Sequence, residues 1–302
     1  MTSPNPNPNN TDSPRGLAFA LSAYVMWGLL PLYMKALSHI PAAEVVAHRV
    51  IWAVPIAGLL LIVLRRTDDL MAALRSPRTL LMACVTAALI SVNWGIYVWS
   101  IANGYALDAA LGYYINPLFS VLLGSVLLGE RPNRVQMVAI ALAAGAVVVL
   151  TVAAGGLPLV AVGLTLSWGF YAFFKKSLPV GPNQGFMLEV LILLPVALGY
   201  VIYLSVTGAG LIGGTGMDTA LLLGCGIVTA VPLITYANGA KLLRLSTIGI
   251  LQYIAPTMIF LIAVFVFGEE FDGARMIAFP MIWAALVIYS MSLVKQMRAK
   301  PA

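Results

Sequence analysis

The chain has 302 residues, of which 61% are hydrophobic and 9% charged, with a net charge of +6 and a mean hydropathy of +0.96. A soluble domain is about 45–50% apolar and about 25% charged, so a soluble enzyme, a nucleic-acid binder and a disordered chain are excluded. What remains is a polytopic protein in lipid. Its long Ala, Leu, Val and Gly runs make the spans helices, not the alternating segments of about ten residues that build β-barrels.

Residues 1–14 hold Pro4, Pro6, Pro8 and Pro14 among Asn, Ser and Thr and read as a disordered tail. No basic stretch precedes a short apolar core, so no removed signal peptide is expected. Ten apolar segments follow, at about 16–36, 43–64, 79–101, 108–128, 134–154, 157–177, 185–207, 218–240, 246–267 and 274–294. Each is long enough to cross roughly 30 Å of hydrocarbon. With the N-terminus in the cytoplasm, the cytoplasmic segments collect Arg15, Arg65, Arg66, Arg75, Arg78, Arg131, Arg134, Lys175, Lys176, Lys241, Arg244, Lys295, Arg298 and Lys300. Only Lys35 and Arg275 fall outside, and Arg49 falls within span 2. This asymmetry predicts ten transmembrane helices with both termini cytoplasmic, in a multi-pass protein of the plasma membrane. Cys84 and Cys225 sit inside apolar runs without a CxxC or His/Cys neighbour and read as packing residues.

The two halves echo one another. Trp27-Gly28 with Lys35 and Leu37 recurs as Trp168-Gly169 with Lys176 and Leu178. Tyr114-Ile115-x-Pro117 before Gly129-Glu130 recurs as Tyr253-Ile254-x-Pro256 before Gly268-Glu269. Matches at both ends of a five-span unit imply duplication. Because five is odd, the second copy enters the membrane from the opposite face: a 5 + 5 inverted-topology repeat, with units at 15–154 and 155–302. That plan is common among carriers, whose substrate site lies near the midplane between the two bundles.

At several of these residues the chain resembles a known family. Ala23-Tyr24-x-x-Trp27-Gly28-x-x-Pro31-x-Tyr33-x-Lys35, His48-Arg49-x-x-Trp52 and Asn93-Trp94-x-x-Tyr97-x-Trp99 are similar to the RarD branch of the EamA carriers. So are Leu111-Gly112-Tyr113-Tyr114-Ile115-Asn116-Pro117-Leu118 and Arg244-Leu245-Ser246-Thr247-x-Gly249-x-x-Gln252-Tyr253-Ile254-x-Pro256-Thr257. The branch belongs to the drug/metabolite transporter superfamily. The resemblance implies ten helices in a 5 + 5 inverted repeat and export of small metabolites, a plan shared with amino-acid exporters of the YddG type. It also implies a loosely defined substrate, with a link to chloramphenicol sensitivity.

Polar and aromatic residues inside a membrane tend to face a cavity. Spans 5 and 10 are almost wholly apolar and read as scaffold. Spans 1, 3, 4, 6, 8 and 9 carry stripes at helical spacing: Tyr24 and Trp27; Asn93, Trp94 and Tyr97; Tyr113 and Asn116; Trp168 and Tyr171; Thr229 and Tyr236; Gln252. Apart from Thr229, these are the candidate substrate-binding residues. Packing, an aromatic belt or interhelical hydrogen bonds are the competing readings. The set is aromatic, amide-rich and short of charge, which suits a neutral or zwitterionic solute with an apolar part. Glu44, His48 and Arg49 at the outer end of span 2, and Glu189 in span 7, are candidates for gating or coupling. Glu44 and His48 are spaced to pair; Glu189 is a candidate to hold a proton or a substrate amine, the alternative being a partner in Lys175 or Lys176. Pro117 and Pro256 are candidate symmetric bends.

No HExxH, no GxSxG and no metal-ligand set occurs, so neither enzyme activity nor a metal or cofactor is expected. No span carries Asp or Glu near its middle, which favours uniport over tight proton coupling. The best specific cargo is an amino acid, particularly a large neutral or aromatic one. The alternative is a multidrug or other metabolite permease, with proton coupling as a variant of it. A channel, a membrane scaffold or an intramembrane enzyme fits less well. The partners expected are the solute and the bilayer, with no nucleic acid. The oligomeric state is left open, and a monomer is compatible with the plan.

Overall fold

In the computed structural model the described residues are 13–128, 133–210, 215–240, 242–243, 245–271 and 273–299. Residues 1–12 of the predicted 1–14 tail, Gly129-Glu130 of the repeat motif, and Arg131, Lys241, Arg244 and Lys300 of the charge asymmetry lie outside them; Pro14, read as tail, opens a helix, since proline suits the first helical position. Every regular element among the described residues is an α-helix: α1 (Pro14–Ala36), α2 (Ala42–Val63), α3 (Thr67–Leu74), α4 (Pro77–Ala102), α5 (Ala106–Leu128), α6 (Arg134–Ala154), α7 (Leu159–Ser177), α8 (Pro182–Thr207), α9 (Gly216–Ala240), α10 (Leu245–Leu251), α11 (Ile254–Phe265) and α12 (Gly273–Ala299).

Local chemistry sets these boundaries. Ser76 caps α4, accepting from the Thr79 N–H, and Pro77 fills the first helical position. Asn133 and Gln136 form a capping box at the start of α6, with bonds of 2.8 and 2.9 Å. Gly155 and Gly208 end α6 and α8 at φ of 66° and 69°, where a side chain would be strained.

Among the described residues eight helices, α1, α2, α4, α5, α6, α8, α9 and α12, are long and apolar enough to cross a membrane. The two other predicted spans fall on α7, whose last turn holds Lys175 and Lys176, and on the α10–α11 pair. Large side chains such as Val138, Val148 and Val152 of α6, Val196, Ile202 and Val206 of α8, and Met276, Ile277 and Val287 of α12 point outward and exposed. Water does not tolerate so much apolar surface, whereas lipid does. The chain is a multi-pass membrane protein.

Span 9 differs from the sequence expectation of one continuous helix. It breaks at Gln252–Tyr253, between α10 and α11. Pro256 lies in the first turn of α11, where its missing N–H is harmless, but its ring blocks continuation back through Gln252. Pro117 sits within α5, which continues past it. The segment between α2 and α4 is also more ordered than a loop: it contains α3, whose Asp69 accepts from Gln184 Nε2 of α8 at 3.1 Å.

The packing pairs exchange in a regular way. Helix α1 lies on α9 and α11, while α7 lies on α4 and α5. Helix α2 packs on α8 and α9, and α8 also meets α4. Helix α5 crosses α11. Helices α6 and α12 pack chiefly on each other: a Cβ on Gly145 would meet Met281, and Asn133 Nδ2, at the cap of α6, donates to Ser292 Oγ at 2.9 Å. Crossing points fall at glycines. A Cβ on Gly28 of α1 would strike Met258 of α11, and one on Gly169 of α7 would strike Phe119 of α5. A Cβ on Gly226 of α9 would land on the Trp52 carbonyl of α2. Such close approach is what drives helix association where lipid removes the hydrophobic incentive.

The last contact meets backbone, which cannot rotate away. Gly226→Ala is therefore expected to destabilise the protein by about 1–3 kcal/mol, read as a lower apparent melting temperature in detergent. Gly95→Ala, whose Cβ meets nothing within 4 Å, should leave melting unchanged. Equal melting of the two variants would contradict the α2–α9 contact.

Candidate functional site

Helix α2 brings Arg49 roughly a third of the way along its length into the bundle. The guanidinium lies over the indole of Trp94 on α4, 4.6 Å from the ring centroid. Its Nε donates to Thr229 Oγ1 of α9 at 3.0 Å. Arg49 is thus enclosed at a three-helix contact rather than standing at the outer end of span 2. His48 turns to its own helix: its Nδ1 accepts from the Trp52 indole N–H at 3.2 Å. The expected Glu44–His48 pair does not form, although Glu44 is buried in the first turn of α2.

An aromatic and amide chain runs outward from this point. Tyr97 of α4 packs on Tyr113 of α5 with centroids 5.8 Å apart. Tyr113 meets Trp168 of α7 edge-on at 6.3 Å, and Trp168 meets Tyr171 at 5.6 Å. The Tyr113 hydroxyl donates to Asn93 Oδ1 at 3.2 Å. Asn93 Nδ2 in turn donates to Ser167 Oγ at 3.0 Å and to the Leu164 carbonyl at 3.3 Å. Tyr171 donates to Glu189 Oε2 of α8 at 3.3 Å, and Lys175 Nζ lies 2.6 Å from Glu189 Oε1. Glu189 is thus paired with Lys175, one of the two lysines the sequence offered as the alternative to a coupling role.

Tyr24 and Trp27 of α1 form a separate triangle with Tyr236 of α9, with centroids 5.5 to 5.7 Å apart. The candidate residues therefore gather in two groups, one on α2, α4, α5, α7 and α8, the other on α1 and α9. Asn116 is buried one turn beyond Tyr113, and its Oδ1 has no hydrogen-bond partner. Pro117 lies beside it. Gln252 stands at the α10–α11 break, with Pro256 in the turn that follows.

Sequence reasoning passed over Ser167, whose hydroxyl anchors Asn93; a lone Ser in an apolar run carries no periodic signal. Thr229 was visible only as part of a stripe with Tyr236. A cleft of about 480 Å³ between α2, α4 and α8 is lined by apolar groups such as Val46, Val50, Val92 and Val196. Neither Arg49 nor Trp94 lines it. Among the described residues no group of three or more His, Cys, Asp or Glu side chains is placed to hold a metal ion.

One end of the bundle is tied by polar links. Tyr33 of α1 donates to the Leu221 carbonyl of α9, and His39 bonds Asp218 at 2.8 Å. The Glu269 carboxylate accepts from the N–H groups of Ala106 and Leu107, at 2.7 and 2.9 Å, and so caps α5. Arg275 reaches Asp108 at 3.4 Å.

The buried Glu189–Lys175 pair makes a stability test. Glu189→Gln strands the Lys175 ammonium and is expected to cost about 3 kcal/mol in detergent unfolding. Adding Lys175→Met should recover most of that loss, because the stranded charge leaves with it. A double variant no more stable than Glu189→Gln alone would show that the pair is not coupled.

Residues 14–152 match the EamA-like transporter family. An uncharacterized transporter of Vibrio cholerae is 43% identical over 94% of this chain and 94% of its own. Protein RarD of Escherichia coli is 39% identical over 94% of this chain and 96% of its own. The chloramphenicol-sensitive protein RarD of Pseudomonas aeruginosa is 30% identical over 91% and 93%. A solved crystal structure shares the fold at a TM-score of 0.60 and 19% identity, covering 94% of this chain and 99% of that one.

Proposed function

The chain belongs to the RarD-like branch of the EamA-like transporters, and we propose that it exports small organic metabolites by alternating access, with large neutral and aromatic amino acids as the leading cargo. It is a multi-pass protein of the inner membrane. The observation that carries the proposal is the exchange of contacts between its halves. The α1 contacts with α9 and α11 correspond to the α7 contacts with α4 and α5. The Gly28–Met258 crossing corresponds to Gly169–Phe119. This correspondence supports ten spans in two inverted units, 15–154 and 155–302, with both termini cytoplasmic. In such carriers one bundle rocks against the other around a site between them.

The two aromatic groups, Tyr24–Trp27–Tyr236 and Tyr97–Tyr113–Trp168–Tyr171, belong to facing parts of that plan. Their rings suit the apolar portion of a solute and their hydroxyls its polar end. Glu189 is engaged by Lys175, which favours a uniporter driven by the solute gradient. A second reading, carriage of a drug-like solute, draws on the relative named for chloramphenicol sensitivity.

Counterflow in proteoliposomes tests the proposal. Labelled phenylalanine, methionine or threonine should exchange saturably and without need of a pH gradient. Trp27→Ala and Trp168→Ala should each lower the rate about tenfold. Trp99→Ala, at an outward-facing ring 45% exposed and stacked on Tyr105, should leave it unchanged. Absence of flux for every amino acid from folded protein would overturn the amino-acid assignment.

A further inference from the structure

Arg49 is a buried cation without an anion. It is 4% exposed, and its contacts are the Trp94 face and the Thr229 hydroxyl. Its Nη1 has no hydrogen-bond partner. Among the described residues no carboxylate lies within ion-pair distance of it. Other carboxylates of the bundle are engaged elsewhere: Glu189 with Lys175, Asp108 with Arg275, Asp218 with His39 and Glu269 with backbone N–H groups.

A second orphan stands in the same cluster. Tyr97 is 3% exposed and its Oη is also unpartnered. Tyr97 lies about one helical turn beyond Trp94 on α4 and packs on Tyr113. One neutral hydrogen bond and one cation–π contact do not replace the water that a guanidinium with five N–H donors gives up on entering a membrane. A charge held there at such cost is expected to serve a ligand, and a guanidinium's planar fork matches a carboxylate.

We infer that Arg49 is the seat for a carboxylate on the cargo, with Arg49 Nη1 and Tyr97 Oη as donors and the Trp94 and Tyr113 rings against its apolar part. The inference rests on the carrier reading and narrows its substrate class. The cluster offers donors and a fixed cation but no free fixed anion. Recognition therefore runs through the carboxylate and not the amine. Arylalkyl carboxylic acids bind whether or not they carry an α-amino group, and amides of the same acids do not. Because Arg49 is enclosed by α2, α4 and α9, a lipid headgroup does not reach it.

The test uses the full chain in detergent with three probes at equal concentration: 3-phenylpropionate, L-phenylalanine and L-phenylalaninamide. The two acids should raise the apparent melting temperature and the amide should not. Arg49→Gln should weaken apparent affinity for both acids about ten- to a hundredfold, and Arg49→Lys should lose less. Stabilisation by the amide equal to that by the acids overturns the inference. So does undiminished binding of the acids to Arg49→Gln, or binding of none of the probes to the unmodified chain. If Arg49→Gln does not fold, the acid-against-amide comparison on the unmodified chain decides alone.

Phenylalanine counterflow separates this inference from the carrier reading. Flux inhibited equally by acid and amide retains the carrier and removes the carboxylate seat. Acid-selective binding without flux retains the seat and removes the amino-acid carrier.

Discussion

The close approach of α2 and α9 at Gly226 organises the centre of this protein. With no side chain on Gly226, the Trp52 backbone comes down onto α9. Helices α2 and α9 run parallel, both starting at the end where His39 bonds Asp218, and from this contact the Arg49 side chain reaches along α9 to Thr229, three residues beyond Gly226. Trp94 then closes the face of the cation from α4. A larger residue at position 226 would push the helices apart and leave Arg49 without its neutral partners. In lipid, where apolar surface gains little by leaving the solvent, such steric fit is a main source of helix specificity.

The same physics accounts for the two aromatic groups. Small residues let backbones approach at Gly28, Gly169 and Gly226, and the large rings nearby pack in the spaces between helices. Tyr and Trp carry a polar atom on an apolar body, so in a dry interior they need both packing and a hydrogen-bond partner. Tyr113 finds Asn93 and Tyr171 finds Glu189. Tyr97 finds none, which sets it apart from its neighbours.

Under the proposed repeat Pro117 and Pro256 are mates, yet their helices differ. The α5 helix passes through Pro117 unbroken, with Glu269 capping its start, whereas Pro256 follows a break at Gln252–Tyr253. One proline therefore permits two backbone outcomes, and the surroundings choose between them. A carrier built of two like halves needs such inequality, since the halves must differ at any instant for one face to be open and the other closed.

The sequence by itself determined where helices form and which residues are costly to bury. Apolar length and self-satisfied backbone hydrogen bonds act over a few turns, so most of the predicted helices were legible to within a few residues, whereas the caps at Ser76, Asn133, Gly155 and Gly208 and the break at Gln252–Tyr253 were not read. The inward aromatic stripes were legible for the same reason; for Glu189 the sequence offered Lys175 or Lys176 as alternative partners, and the structure selects Lys175. What only the tertiary structure decided was which stripes meet. Arg49 and Thr229 are 180 residues apart, and nothing in either helix's periodicity names the other. The separation of the α1–α9 triangle from the Arg49 cluster and the partnership of Ser167 with Asn93 were hidden in the same way. Helix formation in lipid is a local property of the chain, but the choice of neighbour depends on steric fit between surfaces far apart in sequence, and periodicity does not encode that fit.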